Sequence, residues 1–226
     1  MLFFILLILL YIPLLIVYPC RVIGKKNLPK SGRVIFGCNH QTVNDPILIA
    51  YKLAGRRRFK FMAKAPLFEN KFFGALLKGL GAYPVHPSSS DITSVKTTMK
   101  HLKDEKAVCI FPEGARLVSS EENQLKHGVA MFALKTQTPV VPAYFVKKTN
   151  AFVPNTMLIG EPIELHNMEQ FKDVKIDKDV LEEASNIIKD SMRKLYNDYM
   201  AEKFAKKHAK EVKRNAKKNT KWFVFF

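Results

Sequence analysis

Residues 33–53 read RVIFGCNHQTVNDPILIAYKL, and this stretch decides the fold. Its first six residues, 33–38, are Arg33 and then an uninterrupted uncharged run of strand-favouring character, Val34-Ile35-Phe36-Gly37-Cys38, which predicts a strand. The polar block Asn39-His40-Gln41-Thr42-Val43-Asn44 follows, and then Asp45-Pro46. An Asp followed by proline is a helix start, with the carboxylate as cap and proline in the first helical position. The helix is expected over 46–53. Strand, tight loop and helix follow one another within about twenty residues, the first step of an alternation.

Outward from this stretch the same punctuation recurs. Strands are expected at 58–62, 107–111, 139–145 and 157–159, and helices at 71–80, 91–102 and 125–136. Alternation of this kind predicts an α/β fold: a mixed, mostly parallel sheet flanked by helices. No internal repeat or low-complexity linker interrupts it, so residues 21–200 are read as one domain, long enough to bury its own core. Leu181, Ala184, Ile188, Met192, Leu195 and Tyr199 recur every three or four residues, the apolar stripe of a long helix that closes the domain.

Both ends differ in composition from this middle. Residues 2–20 contain no charged side chain; as a helix they are roughly 28 Å long, close to the apolar thickness of a bilayer. The expectation is an N-terminal membrane helix over 1–20, with Pro13 allowing either a span or a re-entrant segment. Arg21, Lys25 and Lys26 follow it, which sets the rest of the chain on the cytoplasmic face. Residues 201–226 form a basic tail ending Trp222-Phe223-Val224-Phe225-Phe226, with nine Lys or Arg between Lys203 and Lys221. Cations and terminal aromatics in that order suit an anionic membrane surface.

The formal net charge of +17 on 226 residues calls for a polyanionic partner. Anionic membrane, nucleic acid and phosphorylated substrate all satisfy it, but the sequence has no recognition-helix, zinc or RNP-like signature, so nucleic acid is not expected. Cys20, Cys38 and Cys109 include no C-x-x-C pair, which argues against a zinc site or disulfide framework and for apolar filler in a reducing compartment.

His40 and Asp45, five apart, would sit about 140° apart around a continuous helix axis and never meet. On a curled strand-to-helix loop they meet, and a carboxylate-held imidazole is a general base. No G-x-S-x-G supplies a nucleophile, so direct deprotonation of a substrate hydroxyl is the chemistry such a pair would do. An Asp near an incidental His would look the same in sequence. A second block, Phe111-Pro112-Glu113-Gly114-Ala115-Arg116, follows a predicted strand: Gly114 permits a tight turn, and Arg116 suits a bidentate grip on phosphate.

Together, N-H-x4-D and F-P-E-G-x-R about seventy residues later resemble the glycerolipid acyltransferase family, which includes the 1-acyl-sn-glycerol-3-phosphate acyltransferases. Phe61-Met62-Ala63-Lys64-Ala65-Pro66, Gly81-Ala82-Tyr83-Pro84-Val85, Leu125-Lys126-His127-Gly128 and Val140-Val141-Pro142-Ala143-Tyr144 are similar to further family segments in the same order. The resemblance spans roughly residues 21–165. It implies that His40 is the base, that Asp45 orients it, and that Glu113, Gly114 and Arg116, with Lys64, hold the acceptor's glycerol phosphate. It implies an acyl-CoA or acyl-carrier-protein thioester as donor, a membrane lipid as acceptor, and no metal or organic cofactor. In two places the chain departs from the pattern. Val85-His86-Pro87 carries no arginine where the family's second motif usually ends in one, and Ala115 stands where Thr or Ser is common. The expected reaction is acylation of lysophosphatidic acid to phosphatidic acid. Alternatives are another glycerol-phosphate or lysophospholipid acceptor, or a basic, non-catalytic membrane-binding protein.

Overall fold

The computed structural model describes residues 13, 14, 16–85, 92–112 and 127–222. Seven strands form one sheet: β1 Cys20–Ile23, β2 Val34–Cys38, β3 Phe59–Lys64, β4 Ala82–Val85, β5 Ala107–Ile110, β6 Val140–Phe145 and β7 Asn155–Ile159, in the order β1-β7-β6-β2-β5-β3-β4. Every pairing is parallel except β6 with β7. The helices are α1 Asp45–Lys52, α2 Lys71–Gly79, α3 Ile92–Lys103, α4 Gly128–Thr136 and α5 Lys178–Trp222. The mixed, mostly parallel sheet with flanking helices is thus the observed fold.

β2 is central and wholly buried. Alternation along it divides the core into two layers. Val34, Phe36 and Cys38 join Phe59, Phe61, Cys109, Ala143 and Phe145 beneath Leu48 and Ile49 of α1. Ile35 joins Val108 and Val140 on the other side, beneath Leu102 of α3, Ala130 and Ala133 of α4, and Ile188 of α5. A strand buried on both faces must be a continuous apolar run, which is why 34–38 reads as it does.

Two strands have no clear signal in the sequence. β1 is four residues long, carries Arg21 and lies at the sheet's edge, so it needs only one apolar face. β4 contains Pro84, which lacks a backbone N–H and is tolerated because β4 is the opposite edge.

Among the described residues no helix is long and apolar enough to cross a membrane. The N-terminal membrane helix is therefore not a feature of the described fold; most of its expected span, residues 1–12 and 15, lies outside the described residues. The part that is described ends differently from expectation. Tyr18 turns the chain and Cys20 already belongs to β1, because pairing with Asn155 of β7 captures it. At the other end α5 runs unbroken past residue 200, where a boundary was expected. Ala184, Ile188 and Met192 are buried, whereas residues 201–212 are all exposed.

Candidate active site

β2, β3, β5 and β6 all point their carboxyl ends to one edge of the sheet, and the loops that leave this edge build the site. After Cys38 the buried Asn39 fixes two of these loops together. Its Nδ2 donates to the Phe145 carbonyl at 3.1 Å and its Oδ1 accepts from the Phe145 N–H at 2.7 Å. The end of β2 is thereby tied to the end of β6, 106 residues away.

The chain then curls, with the Asp45 N–H donating to the Thr42 carbonyl at 3.1 Å. α1 begins at Asp45 itself, with Asn44 as its cap residue, so Asp45 does not cap the helix as its place before Pro46 suggested. Its carboxylate turns back instead. Oδ2 accepts the backbone N–H groups of Gln41 and Thr42, both at 2.7 Å, and lies 3.2 Å from His40 Nδ1. Oδ1 accepts the hydroxyls of Thr42 at 2.9 Å and Thr149 at 2.7 Å.

Asp45 is fully buried. Burial by itself would raise its pKa, but the hydrogen bonds from His40, Thr42, Thr149 and Gln41 outweigh it and hold the carboxyl below its ordinary value. An ionised carboxylate can only accept, so the His40 proton sits on Nδ1 and the lone pair on Nε2. No described residue bonds Nε2. The imidazole stacks on Phe111 at the end of β5, centroids 4.2 Å apart and planes 24° apart. About a fifth of the His40 side chain, 19%, is exposed. This is a fixed base with an open face.

Among the described residues no hydroxyl or thiol is hydrogen-bonded to His40. Cys109 lies near Asp45 but is fully buried, and burial, then the Asp45 charge, push its thiol pKa well up. It is a core residue, as is Cys38.

Of the residues expected to hold substrate, Lys64 ends β3 with an exposed side chain at the same sheet edge. Glu113, Gly114 and Arg116 lie outside the described residues; the described chain leads toward them as Phe111 and Pro112. Three members of the site carried no legible role in the sequence. Asn39 sat in the quoted block with no assigned partner, Phe111 was read as strand end and motif residue with no role at the imidazole, and Thr149 lies 104 residues from Asp45. No local signal marks Thr149.

Fold and site together define a class: an α/β enzyme presenting a carboxylate-held imidazole at the carboxyl edge of a parallel sheet. The chain belongs to the Acyltransferase family, whose model matches residues 19–146. It is 34% identical over 148 residues to the 1-acyl-sn-glycerol-3-phosphate acyltransferase of Bacillus subtilis, covering 63% of this chain and 73% of that protein. It is 28% identical over 176 residues to the enzyme of the same name from Borreliella burgdorferi, covering 76% and 70%. The crystal structure of the 1-acyl-sn-glycerophosphate acyltransferase PlsC from Thermotoga maritima shares the fold, with TM-score 0.55 and 23% identity over 78% of this chain and 71% of that one. The protein is an acyltransferase.

Proposed function

We propose that this acyltransferase moves a fatty acyl group from a thioester of coenzyme A or acyl-carrier protein to the free hydroxyl of lysophosphatidic acid, making phosphatidic acid. The observation that carries the mechanism is the Asp45–His40 pair, whose Nε2 no described residue bonds. His40 Nε2 takes the hydroxyl proton as the oxygen attacks the thioester carbonyl. Asp45 stabilises the imidazolium that forms. When the carbon–sulfur bond breaks, the leaving thiolate receives the proton from His40, and the ester is released with the base restored. A thioester is already activated, so base catalysis and positioning suffice without a covalent enzyme intermediate. Arg116, Glu113, Gly114 and Lys64 are the residues proposed to hold the acceptor's phosphate. The names of the relatives support lysophosphatidic acid as that acceptor.

The work is placed at the cytoplasmic face of a membrane, a reading supported by the uncharged residues 2–20 and the cations Arg21, Lys25 and Lys26 after them. Within this chemistry, the missing arginine at Val85-His86-Pro87 favours a second reading, in which the acceptor is a different glycerol-phosphate or lysophospholipid.

The test offers labelled oleoyl-CoA, then oleoyl-carrier protein, to detergent-purified enzyme with lysophosphatidic acid, glycerol 3-phosphate or lysophosphatidylcholine. Product on lysophosphatidic acid, reduced about 10²–10⁴-fold in a folded His40→Ala variant, is expected. Transfer only to another acceptor would replace the substrate assignment, and a fully active His40→Ala would remove the base.

A further inference from the structure

The corner that follows β3 is more apolar on its outside than the fold requires. The short 3-10 turn Ala65–Phe68 and α2 (KFFGALLKG) pack on each other and on the edge strand β4. Gly74 is the only residue of α2 that is buried. A Cβ there would lie 2.8 Å from the Phe68 carbonyl oxygen, so its lack of a side chain lets the helix sit directly on the turn. With the backbone seated in this way, the large side chains face outward. Phe72 is 77% exposed, Leu67 45% and Phe73 43%. A helix normally turns its apolar residues to the core; this one leaves its two phenylalanines in water.

Charge supplies the second observation. Lys64, Lys71 and Lys78 are exposed around these residues, and Glu69 is the single acidic side chain in residues 64–79. Neither Lys64 nor Lys71 nor Lys78 is engaged in an ion pair among the described residues. Apolar rings surrounded by exposed lysines match an anionic bilayer, where rings enter the interface and ammonium groups meet phosphates. Place in the fold supplies the third. Lys64 and the turn Ala65–Phe68 leave the same sheet edge as the His40 loop, on which Val43 is also 65% exposed.

We propose that the Lys64–Leu67–Phe72–Phe73 corner is a docking surface for an anionic lipid bilayer, which holds the open side of the His40 site at the membrane where a lipid acceptor would enter. The idea deepens the lipid-acceptor reading given above, and its test measures insertion without turnover, so the two fail separately. It is also independent of the protein's ends, because the probe is local.

Trp222 is the only tryptophan in the chain. In full-length Trp222→Phe protein, Phe72→Trp places a single fluorophore on the corner. Vesicles of phosphatidylcholine with phosphatidylglycerol, with and without brominated acyl chains, are then added. Expected are a blue shift on binding and strong quenching by the brominated chains. Removing the phosphatidylglycerol should weaken both effects. Phe72→Ser with Phe73→Ser, in the otherwise native chain, should lower the partition constant about tenfold or more. An unshifted, unquenched fluorophore on protein that cosediments with the vesicles would overturn the proposal, as would failure to cosediment. Equal quenching on neutral vesicles would remove the anionic requirement and overturn it in that form. A blue shift that grows with protein concentration in the absence of lipid would give the face to a second copy of the chain instead.

Discussion

Thr149→Val isolates one interaction of the site. The substitution keeps the side chain's shape and removes the hydroxyl that donates to Asp45 Oδ1 at 2.7 Å. Both residues are buried, so water cannot easily replace the lost donor. Oδ1 keeps the Thr42 hydroxyl, and Oδ2 keeps His40 and the two backbone N–H groups, so the carboxylate stays in place. A hydrogen bond to a charged group contributes about 1.5–3 kcal/mol. Its loss raises the folded-state pKa of Asp45 back toward the ordinary value, because one of the hydrogen bonds that hold the charged form is gone.

The sign of the pH dependence follows from that direction. Asp45 titrates lower in the folded protein than in the unfolded chain, so unfolding takes up a proton over the acid range. The stabilisation is fully present above the unfolded value of about 3.9 and is lost as pH falls through the folded value. Thr149→Val should therefore cost about 1.5–3 kcal/mol at pH 7, and less as the carboxyl becomes protonated below about pH 4. Urea unfolding in mild non-ionic detergent, followed by circular dichroism at pH 7 and pH 3, measures both quantities. Thr149→Ser, which restores the donor, should recover most of the loss. A cost below about 0.5 kcal/mol at pH 7, or one independent of pH, would refute the assignment of this hydroxyl to the charged carboxylate.

Other perturbations probe the frame and the thiols. Asn39→Leu removes both bonds to Phe145, and at about 1–3 kcal/mol for each group left without its partner it should lower stability by about 2–6 kcal/mol, read from the urea midpoint. A midpoint unchanged from the native chain would show that the clamp contributes nothing. Gly24 has φ 77°, and a Cβ there would lie 2.0 Å from the Ile159 carbonyl oxygen. Gly24→Ala should thus cost about 2 kcal/mol or more by thermal unfolding, and a native melting temperature would contradict the close approach of β1 and β7. Burial raises the Cys20 thiol to about 11 and the Cys109 thiol higher still. Iodoacetamide at neutral pH should leave Cys38 and Cys109 unlabelled in folded protein and activity intact; inactivation in step with labelling of either would give a thiol a role in the chemistry.

The sequence by itself determined whatever depends on near neighbours. The continuous apolar run at 34–38 is legible because a strand buried on both faces has no polar side to show. Asp45-Pro46 marked the start of α1, and the five-residue gap from His40 allowed the two to meet on a curled loop, so the pair and the family resemblance were within reach. Sequence was silent wherever partners come from distant segments. The pleat says that a residue faces one layer, but it does not say which strand lies beside it. Only the tertiary structure put the Thr149 hydroxyl on Asp45, tied Asn39 to Phe145 and laid Phe111 against the imidazole. It also decided that Asp45 turns back to the loop instead of capping its helix, because five donors around the carboxylate outweigh one helix N-terminus. And it left Phe72 and Phe73 outside, since Gly74 fixes which side of a nearly all-apolar helix can approach the turn beneath it.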